Sequence, residues 1–529
     1  MSITQLEKST YLLPFLSEPM KSNAGLDQLG LNLTSERIFD MLLPGLNNVT
    51  GRIRYYSFYS WFFEWYSNEI GVLGSKDQII HIRRAEFLLA LIATSVNAQG
   101  VPGITKAKEI FEDADKIINL KDGTYEDLGK TEGSYWKNTS GIFGQYYANS
   151  LKVIGLIREQ GEASGLYIRT ESQNKDRVTG LLLANAFESN IGRESISLFS
   201  NAIKKASVTI EQLGLMADAF NMVKIPLNTE EHRLLVALLI GPDRLTNTEE
   251  TFYRKDTIFN VLKEVEKDDS DSFEELKMPW HAYDMKKQHK IEADKAMPLW
   301  YFFMLEQYWS VACTGALNSL LRAMNKDAGM GWIEEAVFIN EVSDSVFKAM
   351  ELTYGNLNET SFLNLEMSLE KENKLVDNIV DKNAHFIEQL KVSFILVHKL
   401  YKENYLYQGE LLKFSQSHNL HTRSSFLVAI QDIHEKSEYN VLEFIKYFIT
   451  KYVIYRHHFV ALRKMTDSQS TAKFLRENGF IKHVDYFRFG YSSPRLNTLL
   501  NFLHDLEVKE KKSCGLTDLG KELLIALNK

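Results

Sequence analysis

One short pattern occurs twice in this chain, about 340 residues apart, and it constrains the fold more than anything else in the sequence. The later copy runs Ser493-Pro494-Arg495-Leu496-Asn497-Thr498-Leu499-Leu500, with Leu503 and Leu506 following at helical spacing. A charged stretch, Val508-Lys509-Glu510-Lys511-Lys512, leads to Leu516-Thr517-Asp518-Leu519-Gly520-Lys521-Glu522-Leu523-Leu524. The earlier copy has a helix from Tyr147 to Ile157, a polar hairpin with Gly161 and Gly165, and the strand-like Leu166-Tyr167-Ile168-Arg169. Val178-Thr179-Gly180-Leu181 then opens a helix through Phe187. Overlaying Gly520 on Gly180 places Leu523, Ala526 and Leu527 on Leu183, Ala186 and Phe187. Both copies predict a helix, a two-stranded hairpin and a closing helix with an early glycine.

A chain of 529 residues exceeds a single core and predicts two to four domains. Hydrophobic content of 44% and charged content of 25% are those of a globular protein. Aromatic content of 12% with nine prolines predicts long, well-packed helices. Cys313 and Cys514 have neither metal-ligand spacing nor a disulfide framework around them. Glu7 and Lys8 precede only a short apolar run, unlike a secretory signal. Met297 to Leu321 is apolar, but Glu306, Gln307, Thr314 and Asn318 interrupt it, so a buried amphipathic helix is expected there and no membrane span. The location expected on these grounds is cytoplasmic. Formal net charge is −8, which opposes indiscriminate polyanion binding. Between Lys451 and Lys512, however, twelve Lys/Arg face six Asp/Glu, a local +6 that suits a chain touching nucleic acid with one part only.

The predicted organisation is mainly α, as helical bundles in several domains. Residues 1–125 form an N-terminal helical domain, in which Phe58, Trp61, Phe62 and Trp65 make an apolar stripe. The glycine-rich stretch from Gly123 leads into a unit over 126–190, and a helical segment follows over 191–262. Residues 263–277 are dense in charge and predict a flexible linker. A helical domain spans 278–440, and 441–529 hold a long helix over 441–465 and the C-terminal unit. In that unit Asp467-Ser468 is expected to cap a helix ending at Asn478-Gly479, and Phe480 to Phe489 reads as extended. Ser492 or Ser493 would cap the next helix, with Pro494 in its first turn.

The segment from about 466 to 529 resembles the winged-helix superfamily of DNA-binding domains, and residues 130–190 resemble it in outline. Leu516-Thr517-Asp518-Leu519-Gly520 is similar to the start of the helix after the wing in many prokaryotic regulators. The resemblance implies that the helix before the wing reads DNA with Arg495, Asn497 and Thr498, and that Lys509, Lys511 and Lys512 contact phosphates. One departure is an extended stretch between Gly479 and Ser492 where the superfamily has a separate helix. The block Leu43-Pro44-Gly45-Leu46-Asn47-Asn48-Val49-Thr50-Gly51-Arg52-Ile53-Arg54-Tyr55-Tyr56-Ser57-Phe58 is similar to uncharacterised prokaryotic proteins found near phage-defence genes.

Other constellations carry competing readings. Arg52 and Arg54, interleaved with Tyr55, Tyr56 and Tyr59, have the chemistry to stack bases and neutralise phosphates. The same residues equally suit a packed core with structural arginines, and the exposure of Tyr55 and Tyr56 decides between the two. Arg456, His457, His458, Arg463 and Lys464 suit either an anionic-ligand groove or a solvated face beside a core histidine. Gly515 to Lys521 has P-loop spacing, but Glu522 stands where magnesium needs Ser or Thr. Pro242-Asp243 with Glu275-Leu276-Lys277 only loosely matches a nuclease core.

The combined reading is a non-enzymatic DNA-binding protein, a subunit of a prokaryotic phage-defence or DNA-maintenance assembly. Its nucleic-acid contacts would be Arg495, Asn497, Thr498, Lys509, Lys511, Lys512, Arg52 and Arg54, on double-stranded DNA. No cofactor, metal or catalytic residue is expected. The alternatives are a kleisin-like interaction protein whose winged helices dock partner proteins, and a metal-dependent nuclease.

Overall fold

The computed structural model describes residues 21–22, 27–112, 117–124, 138–161, 164–171, 178–240, 253–267, 274–286, 296–328, 331–420, 423–465, 469–510 and 515–528. The protein is mainly α-helical, and among the described residues strands occur only in small two- and three-stranded sheets. Its chain forms two compact units, each assembled from separated stretches. One comprises Phe39–Met278, Asp294–Met297 and Ser493–Lys529 and contains both copies of the repeated pattern, so we call it the repeat unit. The other comprises Met1–Ile38, Pro279–Ala293 and Pro298–Ser492 and is called the sheet unit. Among the described residues no helix is long and apolar enough to cross a membrane.

The repeat unit is built around the Arg54–Glu69 helix, which is buried on nearly every side. A helix apolar all round belongs in the middle of a core. Trp61 and Trp65 pack against Phe199 with ring centroids 5.2 Å apart in both cases, and Phe58 meets Phe187 and Phe199 on the same neighbour, the Gly180–Lys205 helix. On another side Tyr59 and Phe63 meet Phe143. The Ser75–Ser95 helix supplies an unbroken buried run from Ala85 to Thr94, in which Glu86 is the charged member. Burial pushes the Glu86 carboxyl up to about 7, although its oxygens accept the N–H groups of Ile142 and Phe143 and the hydroxyl of Tyr59.

The sheet unit is organised on the Ala296–Ala328 helix, whose residues from Pro298 onward belong to it. The buried helix expected over Met297 to Leu321 is present, and it is buried over most of its surface from Leu299 to Met324. Its Glu306 accepts the Ser425 hydroxyl and the Phe426 N–H, which caps the Phe426–Glu435 helix from a distance. At Gly315 an added Cβ would lie 2.2 Å from Ile379, so glycine allows that close approach. Phe362 stacks on Phe444 with centroids 3.6 Å apart.

Two expectations in this unit are corrected. The helix expected before Asn478-Gly479 is a hairpin: strands Phe474–Glu477 and Phe480–His483 pair antiparallel, and Ile333–Glu334 adds a third strand beside the second. Asn478 and Gly479 both have positive φ, 50° and 81°, the geometry of a tight hairpin turn. The expected cap at Asp467-Ser468 lies outside the described residues. The long helix over 441–465 is continuous but mixed, with a π-helical segment Ile449–Tyr455 between α-helices Val441–Phe448 and Arg456–Arg463.

Candidate nucleic-acid interface

The two copies of the repeated pattern share one set of hydrogen bonds around an equivalent threonine and glycine. In the first, helix Ala148–Val153 ends in a left-handed residue, Gly155, and the Leu156 N–H returns to the Leu151 carbonyl at 2.9 Å. Strands Ile157–Glu159 and Tyr167–Arg169 pair antiparallel. Thr170 then closes the hairpin: its N–H donates to Leu156 O at 2.9 Å, and its hydroxyl donates to the Gly155 and Leu156 carbonyls. The same Oγ1 accepts the N–H of Gly180, where the closing helix starts.

In the second copy, helix Leu496–Asp505 ends in left-handed Glu507, and the Val508 N–H returns to Leu503 O at 2.8 Å. Lys509 bridges Leu516 across the hairpin. Thr517 then repeats every role of Thr170. Its N–H reaches Val508 O, its hydroxyl reaches the Glu507 and Val508 carbonyls, and its Oγ1 accepts the Gly520 N–H at 3.1 Å. A Cβ on Gly180 would lie 2.2 Å from Leu156 O, and one on Gly520 would lie 2.2 Å from Val508 O. The overlay made on the glycines is therefore the overlay of one local structure, built twice in the same unit.

The residues that resemblance assigns to base reading are engaged inside the repeat unit. Arg495 is left-handed at φ 60° and precedes the helix without a side-chain cap, so neither Ser492 nor Ser493 serves as the helix N-cap. Its guanidinium donates to Asp40 at 3.2 Å and to the Leu46 carbonyl at 2.8 Å, and stacks over Phe39. The Asn497 carboxamide and N–H both donate to Glu275, which also accepts the Ser493 hydroxyl. A carboxylate from the charged segment thus sits at the positive end of the Leu496–Asp505 helix. Thr498 is 6% exposed and donates to Asn47 O at 2.9 Å. Asn47 meets the other copy too: its Nδ2 donates to Tyr146 O, and Tyr146 corresponds to Thr498 when the helices are overlaid.

The arginines of the N-terminal block are also committed. Arg54 is 1% exposed and forks onto Glu231 at 3.1 and 3.3 Å, while Nη1 donates to the Asn221 and Lys224 carbonyls. Arg52 donates to Asp505 at 2.6 Å and to the Gly100 and Gln99 carbonyls. Tyr55, Tyr56 and Tyr59 are buried, so the stacking reading of this block is corrected to a packed core held by structural ion pairs. In the sheet unit His457 is likewise a core residue. Its Nε2 accepts the Lys473 N–H, its Nδ1 faces the Gln28 carbonyl, and burial pushes it down to about 4. Arg456 and Lys464 hold carbonyls of residues 27, 29 and 30.

Each hairpin also carries cations in its sequence. Arg158 on the first hairpin is exposed and has no acceptor among the described residues. Nearby Lys152 pairs with Glu159 at 3.1 Å. On the second hairpin Lys509 reaches the Glu510 carbonyl, and Lys511 and Lys512 lie outside the described residues. Asn47 and Glu275, which organise the base of this region, were not singled out for these roles by sequence. Only their contacts reveal them, since an Asn after a Pro-Gly turn and a Glu in an acidic run are common surface residues. Among the described residues no group of His, Cys, Asp or Glu is placed to hold a metal ion. Comparison with models of known protein families, with curated proteins and with solved structures gives no match to this chain.

Proposed function

We propose that the protein is a non-enzymatic DNA-binding protein of the cytoplasm that holds duplex DNA by its phosphates, using the cations of its two hairpins. The observation that carries this reading is the repetition of a helix–hairpin–helix unit around equivalent threonine and glycine bonds, each copy with basic residues on its hairpin. Phosphate contact is favoured over base reading because Arg495, Asn497 and Thr498 are committed to Asp40, Leu46, Glu275 and Asn47. Contacts of this kind position a protein on DNA without reading its sequence. A role within a prokaryotic defence or DNA-maintenance assembly is the context we assign to it, following the resemblance of the N-terminal block.

Binding of the full chain to duplex DNA across a salt series tests the reading. Each phosphate that is no longer neutralised lowers the slope of log affinity against log salt by roughly 0.9, so K509E/K511E/K512E should flatten it by up to about 2.7. R158E should flatten it by the equivalent of about one phosphate. Unchanged affinity in both folded variants would refute the reading. The second reading, docking of partner proteins, is favoured by the net charge of −8 together with the inward commitment of the helix residues. It predicts no duplex binding at low salt and a stable complex with a partner protein.

A further inference from the structure

A cleft of about 680 Å³ opens in the sheet unit between the Asp27–Asn32 turn and the coil from Asp485 to Ser492. That volume falls in the range occupied by small-molecule sites. The coil contributes aromatic faces, with Tyr486, Phe487 and Phe489 on the lining and Tyr486 41% exposed. The lining also includes groups whose hydrogen-bonding capacity is unspent among the described residues. Among the described residues neither the Asn32 carboxamide nor the Ser310 hydroxyl has a partner, and Ser310 is only 7% exposed. The charges sort themselves in a way that matters. Lys473 Nζ donates to Asp485 at 2.8 Å, and the two oxygens of Asp27 take the N–H groups of Leu31 and Asn32. Arg488 is left exposed, with no acceptor among the described residues.

We propose that this cleft binds a nucleobase, with its attached phosphate held by Arg488. A purely apolar ligand would leave Asn32 and Ser310 without partners, which is costly once water is displaced. A saturated polar ligand would forgo the aromatic faces. A flat ring with donors and acceptors on its edge uses both, and base–aromatic stacking is worth roughly 1–3 kcal/mol per base. The carboxamide of Asn32 can donate and accept at once, which is what a base edge requires. The base reaches the cleft either as a free nucleotide or as part of a single strand. This inference goes beyond the hairpin reading and does not depend on it, because the hairpin cations belong to the repeat unit.

Calorimetric titration of the full chain with AMP, GMP, CMP and UMP, with a single-stranded hexanucleotide, and with ribose 5-phosphate as a base-free control tests it. One equivalent of nucleotide or strand should bind per chain, ribose 5-phosphate should stay inert, and Y486A and R488A should each weaken binding about tenfold. N32A should change the preference among the four bases. Binding of the hexanucleotide alone assigns the base to a single strand, and equal binding of mononucleotides assigns it to a free nucleotide. Absence of binding by all of them at millimolar concentration overturns the proposal. So does full-strength binding in both Y486A and R488A, or binding of ribose 5-phosphate as tight as that of the nucleotides. The K509E/K511E/K512E chain keeps the two readings apart, since it should lose duplex affinity and retain the base.

Discussion

Gly180 and Gly520 occupy the same point of the repeated structure, and replacing either with alanine tests whether one close approach holds both copies. The new Cβ would stand 2.2 Å from the carbonyl oxygen of Leu156 or Val508, where unstrained carbon–oxygen contacts lie near ~3.3 Å. The obstacle is backbone, so the closing helix itself must retreat by roughly 1 Å. That movement pulls the glycine N–H away from the threonine oxygen, a bond of 3.2 Å at Gly180 and 3.1 Å at Gly520. Breaking one hydrogen bond costs about 1 kcal/mol and overpacking about 1–3 kcal/mol, so each substitution should destabilise the repeat unit by about 3 kcal/mol. Gly214 is the internal control. It lies in the Ile210–Met216 helix with nothing within 4 Å of an added Cβ. G214A should therefore stabilise by about 0.5–1 kcal/mol through helix propensity alone. Urea unfolding followed by far-ultraviolet circular dichroism and tryptophan fluorescence measures all three. If G180A and G520A stay within about 0.5 kcal/mol of the parent, or if G214A costs as much as they do, the shared close approach is not what holds the two hairpins.

R54M removes one side of a buried ion pair and strands Glu231, so it should cost about 3–5 kcal/mol, and R54M/E231L should recover most of that loss in the same unfolding assay. Glu86 titrates near 7 when folded and near the usual carboxylate value when unfolded, so the folded unit holds the extra proton between about pH 4.5 and pH 7. Stability conferred by that proton is full below this window and is lost as pH rises through it, by up to about 3 kcal/mol, and E86Q should flatten the slope of stability against pH there. In the sheet unit Glu306, pushed up to about 7 by burial, acts in the same sense. His457, pushed down to about 4, opposes it, because its contribution is lost as pH falls below about 6.5. H457Q should therefore steepen the gain in stability on acidification from pH 6.5 to pH 4.5, read by thermal unfolding at each pH. E275A removes an anionic partner from the start of the Leu496–Asp505 helix and should cost about 1 kcal/mol, a loss that shrinks but persists in an N497A background, because the N–H of residue 497 and the Ser493 hydroxyl still donate to Glu275.

Legibility varied with how local the cause was. Gly180 and Gly520 align in the sequence because a close backbone approach tolerates only one residue type. Asn478-Gly479 carried an equally local hairpin signal, and reading it as a helix terminus gave too little weight to two successive residues that accept positive φ. The π-helical segment over Ile449–Tyr455 left no mark, since a widened turn changes neither composition nor the apolar rhythm enough to be seen. Tyr55 and Tyr56 show the ambiguity of aromatics beside arginines: the same letters serve a base-stacking surface and a core, and burial alone chose the core.

Sequence by itself determined the helical class and the helix–hairpin–helix unit at two places, because periodicity, turn residues and one obligatory glycine act over a few neighbouring positions. Tertiary structure alone decided what the candidate contact residues touch. Arg54 meets Glu231 across 177 positions, Asn497 meets Glu275 across 222, and Arg52 meets Asp505 across 453. It also decided that each unit is assembled from separated stretches of chain. Opposite charges attract whichever partner the fold brings within reach, and a linear sequence states the charges without stating the distances between them.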